Sequence, residues 1–359
     1  MTAQSTDRYR IVAGPGSPYS HKMRAVMRYR RIPHDWVIVL GGFDGLARTE
    51  KMREWRKPLL PLVQFPDGKI WVDSTPIIHE LETRHPGERS VIPPSPADRF
   101  LARLIEDFAD EWLAIPLMAF RWTSDEDVSF CARRQMQGWL GAVGEPEFSA
   151  GVERFANRQR RLRMILGAGN PLAMPVFLRQ YETLLDILEA GLPRQLFLFG
   201  DRPSIADFGL YGMFSQFVID PTPSRIIRER AVRLYQWTHY IDDLSGHDGD
   251  WSSAPAAANE TVRGLVELAG RSLLPMMVAV SQAVARGEQM ASYEVEGVRM
   301  TGVARAEAGN TWLWLKRMFA DLPDADRQGL RGLLEEAGFW QALAFAPGEA
   351  ERVPAFAMS

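Results

Sequence analysis

The short run Tyr9 to Ala13, β-branched at Ile11 and Val12 and followed by Gly14-Pro15-Gly16, reads as a strand. From Pro18 to Arg31 apolar residues recur every three to four positions, as in a helix, and a second strand is predicted over Asp35 to Val39. Leu62 to Phe65 and Ile70 to Val72 flank Pro66-Asp67-Gly68, whose turn residues predict a β-hairpin, and a helix follows from about Thr75 to Arg84. The order is βαβ, a stretch rich in Lys and Arg, then ββα, which predicts an α/β layer with helices packed on one sheet. Val91-Ile92-Pro93-Pro94-Ser95-Pro96 has three prolines in four positions and fits neither a helix interior nor a central strand, so it reads as the linker that ends a first domain at residues 1–90.

From Ala97 to about Leu244 helical periodicity dominates, as in Phe100, Leu104, Phe108 and Trp112, and predicts an all-helical domain over 97–245. Ser245 to Asn259, rich in Gly, Ser, Ala and Asp, marks a second boundary. Beyond it the pattern predicts an apolar helix around Leu265 to Ala285, a strand pair at Tyr293 to Ala304, and helices around Trp312 to Phe319 and Asp324 to Glu336. Leu315, Phe319 and Leu322 give this extension, 260–359, one buried face, and it is expected to pack on the helical domain in a structural role.

Composition narrows the class. With 359 residues, 46% of them hydrophobic and 24% charged, the chain has apolar material for more than one packed core. Lys and Arg number 42 against 45 acidic residues, a formal charge of −3, so no basic field suited to nucleic acid is implied. Met1 to Asp7 is polar, and the longest apolar stretch, Leu273 to Val280, is far short of the ~20 residues that cross a bilayer; the expectation is a cytoplasmic protein with no membrane partner. The single cysteine, Cys131, excludes an internal disulfide framework and reads as a buried, inert thiol. The six histidines show no metal-ligand spacing, no metal is expected, and His21 reads as a solvated helix residue. Gly14-x-Gly16 lacks the third glycine of a dinucleotide fingerprint.

The candidate chemistry begins where the first strand ends, at Gly14-Pro15-Gly16-Ser17-Pro18-Tyr19-Ser20. Ser17 stands where an N-cap belongs and Pro18 at the first helical position, so a purely structural reading of Ser17 is complete in itself. Three further features add to it. Leu60-Pro61 directly precedes the third strand, Asp73-Ser74 opens the helix after the hairpin, and Ser204-Ile205-Ala206-Asp207 forms a capping box after Arg202-Pro203.

In this order and spacing the chain resembles the glutathione transferase family over roughly residues 8 to 245. The resemblance implies a thioredoxin-like βαβ-ββα domain that binds glutathione, a transferase-type helical domain and, here, a mostly helical extension. It assigns Ser17 to the glutathione sulfur, Leu60 and a cis Pro61 to the cysteinyl part, and Asp73 and Ser74 to the γ-glutamyl end. Ser204 and Asp207 take a folding role. Tyr19, Trp112, Met118 and Trp122 fall in regions that line the second-substrate pocket in the family, although for Trp112, Met118 and Trp122 taken singly core packing is the first expectation. Leu59 stands where many relatives carry a polar residue for the glycine carboxylate, leaving Arg48, Lys51 and Lys57 as candidates. The implied protein is a homodimeric transferase, or a related lyase or isomerase, in which glutathione is the cosubstrate and a small apolar electrophile the second substrate. The alternative is a non-catalytic binding or regulatory protein of the same fold. A thiol-disulfide reductase fits poorly, because Ser17 and Ser20 stand where that chemistry needs cysteine.

Overall fold

The computed structural model of the chain describes residues 8–38, 60–87 and 89–354. β1 (Tyr9–Ala13) pairs in parallel with β2 (His34–Ile38) and antiparallel with β3 (Leu62–Gln64), and β4 (Ile70–Val72) lies outside β3, so the sheet runs β2-β1-β3-β4. Strand alternation divides the side chains: Ile11 and Val63 enter the main core, while Val12, Leu62 and Val72 face the other way. α1 (Pro18–Tyr29) and α2 (Ser74–Arg84) complete the βαβ-ββα unit. α1 ends before the expected Arg31, which has a left-handed φ of 55° that a helix cannot continue.

α3 (Pro96–Asp107) passes through a π-helical turn at Phe108–Trp112 into α4 (Ala114–Thr123), and α5 (Asp125–Leu140), α6 (Glu145–Ile165), α7 (Met174–Gly191), α8 (Ile205–Phe217), α9 (Pro221–Arg230) and α10 (Val232–Ile241) follow. Every residue of α8 is buried, and its start is held by the expected box, in which the Asp207 carboxylate accepts the Ser204 N–H at 2.8 Å. α1 lies along α8 at Gly212, where a Cβ would come within 3.1 Å of the Pro18 carbonyl oxygen. α5 supplies Met136 and Trp139, which cover the second face of the sheet with Val12, Leu62 and Val72. The long Ser124 to Asn170 stretch is therefore a second cover for the sheet.

The C-terminal segment begins with α11 (Glu260–Ala285), longer than expected and continuous through Pro275. By length and composition α11 suits a bilayer crossing, yet half of its most apolar window is buried inside the molecule, and it packs on α7 and α3. The hairpin β5 (Met290–Val295) and β6 (Val298–Val303) lies against α11, with Ala291, Tyr293 and Val295 turned inward. α12 (Ala306–Ala320) and α13 (Asp324–Glu336) pack on α3, and the short α14 (Phe339–Ala342) follows.

Candidate functional site

Ser17 caps α1 as the sequence predicts: its Oγ accepts the Ser20 N–H at 3.2 Å. That bond uses a lone pair and leaves the hydroxyl proton available to donate. Ser20, expected to face along the helix, is instead fully buried, and its hydroxyl accepts the Gly14 N–H at 3.3 Å; it ties the loop in front of Ser17 to the helix. Gly16 packs closely on Gln135: a Cβ there would stand 2.2 Å from Gln135 Oε1, and that side chain would have to move.

Ser17 opens onto a cavity of about 250 Å³, which Met118, Trp122, Trp139 and Phe155 make apolar and Gln135 and Gln159 tip with amides. Tyr19 and Leu60 line this cavity and also a second one of about 300 Å³, where Asp73 and Ser74 stand. The Leu60–Pro61 peptide bond is cis. Ser74 is buried at the first position of α2, so it does not cap that helix; the cap is Asp73, whose carboxylate accepts the Thr75 N–H at 3.3 Å from a backbone with φ 72°. Burial holds the Asp73 carboxyl above its ordinary range, against the pull of Lys22. Trp112 does not reach either cavity: it is fully buried and donates through Nε1 to Gln180 Oε1 at 3.0 Å, as a core residue. Leu59, Arg48, Lys51 and Lys57 lie outside the described residues.

Sequence reasoning passed over the residues that fix the loop. Arg121 is buried and binds Asp220, Gln216 Oε1 at 2.5 Å and the Gly16 carbonyl at 2.8 Å. Arg134 adds a bond to Asp220 at 3.2 Å and a longer one, 3.4 Å, to the Pro15 carbonyl. A lone arginine in the apolar run Ala114 to Trp122 was the available signal, since a buried arginine needs partners. Cys131 sits against this network, its thiol pushed well up by burial and by Asp220, as expected of an inert cysteine.

Beneath the second cavity lies a buried charge cluster. Lys22 Nζ binds Glu106 Oε1 at 2.5 Å and Asp110 Oδ2 at 2.6 Å, and Arg103 binds Asp107 at 2.8 Å. Tyr19 donates to the Asp110 carbonyl at 2.7 Å, and burial, with Asp110 next, holds its phenol well above the usual range. Among the described residues no cluster of His, Cys, Asp or Glu could hold a metal ion.

His21 is not the solvated residue expected: its ring packs on Trp36 at 5.7 Å and beside Arg24. Burial first and Arg24 second pull its pKa down to about 4, and His79 is lowered to about 4 by burial and Arg103. Both stay neutral in the folded protein while the unfolded chain takes up protons near pH ~6.5, so their stabilisation is complete above that pH and declines as pH falls toward about 4. His21→Gln is expected to flatten that decline; melting temperatures of the two proteins from pH 7 to 4 measure it, and parallel curves would remove His21 from the effect.

Comparisons with known proteins give the family. The model of the glutathione S-transferase N-terminal domain matches residues 12–89 and that of the C-terminal domain residues 149–254. The chain belongs to the glutathione transferase family. A search of curated protein sequences returns no match. Among solved structures, a β-etherase, LigF, from Sphingobium sp. strain SYK-6 is 18% identical, covering 69% of this chain and 96% of its own, with a TM-score of 0.46. A glutathione S-transferase from Methylobacterium radiotolerans JCM 2831 in complex with glutathione sulfonate is 20% identical, with coverages of 66% and 90% and a TM-score of 0.40. A family member from Pseudomonas fluorescens Pf-5 with two glutathione molecules bound is 14% identical, with coverages of 74% and 95% and a TM-score of 0.39.

Proposed function

We propose that the protein is a cytoplasmic glutathione-dependent transferase, or a lyase or isomerase of the same chemistry, acting on a small apolar electrophile. The observation that carries this reading is the Ser17 hydroxyl, fixed at the start of α1 with its proton unused, at an apolar cavity that adjoins the Asp73–Ser74 cavity through Tyr19 and Leu60. Residues 1–90 bind glutathione, 97–245 supply the wall for the electrophile, and 260–359 pack on the helical domain and reach the lining of the second cavity. Tyr19, Met118 and Trp122 shape the second-substrate pocket. The homodimer implied by the family is part of the same reading, and sedimentation measures it.

The energetics are adequate. Bringing a thiol from a pKa of about 8.5 to about 6.5 takes roughly 2.7 kcal/mol of preferential thiolate stabilisation. A hydrogen bond from Ser17 to a charged sulfur contributes ~1.5 to 3 kcal/mol, and the start of α1 ~0.3 to 1 more. Ser17 keeps its own proton. The thiol proton leaves to solvent, the sulfur bonds the electrophilic carbon, and the leaving group departs with its electron pair. Retention on immobilised glutathione together with conjugation of a generic electrophile tests the reading; retention without conjugation would favour the non-catalytic alternative.

At the other end, the Ser74 hydroxyl and the first N–H groups of α2 suit a carboxylate. Ser74→Ala is expected to weaken glutathione binding by about 1 to 3 kcal/mol. Because Asp73 carries the cap, stability should change little. Calorimetric titration beside a thermal melt separates the two, and a stability loss at unchanged affinity would reassign Ser74 to folding.

A further inference from the structure

The second cavity has a wall that the first 250 residues do not supply. α12 packs across α3 and places Arg305, Thr311 and Trp314 on the lining that Ser74 shares. Arg305 follows β6 and stands at the head of α12. Its guanidinium is held by Glu111 at 2.6 Å, and its side chain remains 36% exposed. The other basic residue on the lining, Arg103, is buried and bound by Asp107 and Glu106. Lys22 lies behind the lining, fully buried between Glu106 and Asp110. Among the described residues, Arg305 is therefore the lining cation that an incoming ligand can reach. Glu111 engages one nitrogen of a group that carries five N–H donors, which leaves donors on Arg305 for a ligand.

We propose that Arg305 is a glutathione-binding residue that receives the α-carboxylate of the γ-glutamyl group together with Ser74, so that the C-terminal segment forms part of the thiol-donor site. The inference rests on the proposed function and extends it. The amino-acid end of the ligand carries an ammonium and a carboxylate on one carbon, and the cavity has the matching imbalance. The lining carries five acids, Asp73, Asp107, Asp110, Glu111 and Glu307, against two arginines; Asp107, Asp110 and Glu111 are paired with Arg103, Lys22 and Arg305, and Asp73 is the acid suited to the ammonium. A carboxylate entering such a field is repelled unless a cation meets it, and Ser74 with the start of α2 contributes only neutral donors and a partial charge. Arg305 supplies the full charge. Glu111 acts as its positioning residue, holding the guanidinium at the wall through one nitrogen.

The test compares two thiols that share the cysteinyl-glycine portion. Wild-type protein is expected to favour glutathione over cysteinylglycine. Arg305→Met should raise the KM for glutathione roughly 10- to 100-fold, leave the KM for cysteinylglycine within about twofold, and leave kcat at saturating glutathione nearly unchanged. Arg305→Lys should fall between, since it keeps the charge and loses the fork. A second arm uses wild-type protein alone: glutathione with its γ-glutamyl α-carboxylate converted to the primary amide should bind at least tenfold more weakly, whatever the fate of the variants. Preference for glutathione retained in Arg305→Met, or equal binding of the amide, would overturn the assignment while leaving the proposed function intact. A wild-type protein that neither binds glutathione nor prefers it over cysteinylglycine would instead sink the function itself.

Discussion

Replacing Ser17 by alanine lowers turnover tens- to a few hundred-fold, an effect of roughly 2 to 3 kcal/mol, and raises the pKa of bound glutathione by one to two units. The expectation follows from the two jobs of one hydroxyl. As acceptor it holds the Ser20 N–H; as donor it is placed to stabilise the thiolate. The acceptor role costs about 1 kcal/mol of stability when removed and leaves the cavity standing. The donor role acts on the reaction, so the loss belongs in kcat at a pH below the raised thiol pKa and shrinks as pH rises through it. Titrating thiolate absorbance in complexes of both proteins checks the point; equal pKa values would confine Ser17 to capping. Ser20→Ala is not the neutral control that its sequence position suggests, because Ser20 anchors the loop through Gly14.

Truncation after Ser253 abolishes cooperative folding or lowers the melting midpoint by at least roughly 10 °C, given about 5 kcal/mol of lost packing. α3 and α7 would lose the apolar face of α11; Phe100 would lose Phe319, and Trp112 would lose Tyr293. The sequence suggests in addition that any folded remainder keeps its glutathione affinity. The placement of Arg305 and Trp314 on the cavity wall reverses that expectation: affinity should fall with the segment. Thermal melts and size-exclusion chromatography on both chains decide the first part, and calorimetry the second. An unchanged midpoint in a soluble truncated protein would make the segment an independent module.

The local chemistry of the first ninety residues was legible because each signal there is short-range. Pro18 and Ser17 mark a helix start, Asp67-Gly68 a turn, and the spacing of Leu62 to Val72 a hairpin. The capping box at Ser204 is read equally well from four consecutive residues. What escaped depends on partners far away in the chain. Arg121 meets Gly16 across more than a hundred residues, and nothing in the neighbourhood of either announces the other. Trp112, Met118 and Trp122 belong to one apolar stretch, yet only the last two line the cavity: Trp112 lies six positions before Met118, about 240° around a helix, and is turned into the core. Ser20 was misread for a related reason: helical spacing says which side of α1 it occupies, but only the fold shows that the Gly14 loop closes over it.

The wall formed by Arg305 and Trp314 also sets a schedule. Asp73 and Ser74 leave the ribosome more than two hundred residues before Trp314, an interval of roughly ten to fifty seconds at ordinary rates of synthesis. During that time the sheet, α1 and α2 can form, but the cavity beside Ser74 lacks one side. A nascent chain therefore gains the last side of the proposed thiol-donor site only after Trp314 has emerged, and a chain interrupted before that point releases the early half with its apolar helices bare. Translation through α12 becomes a condition of the proposed chemistry as well as of the fold.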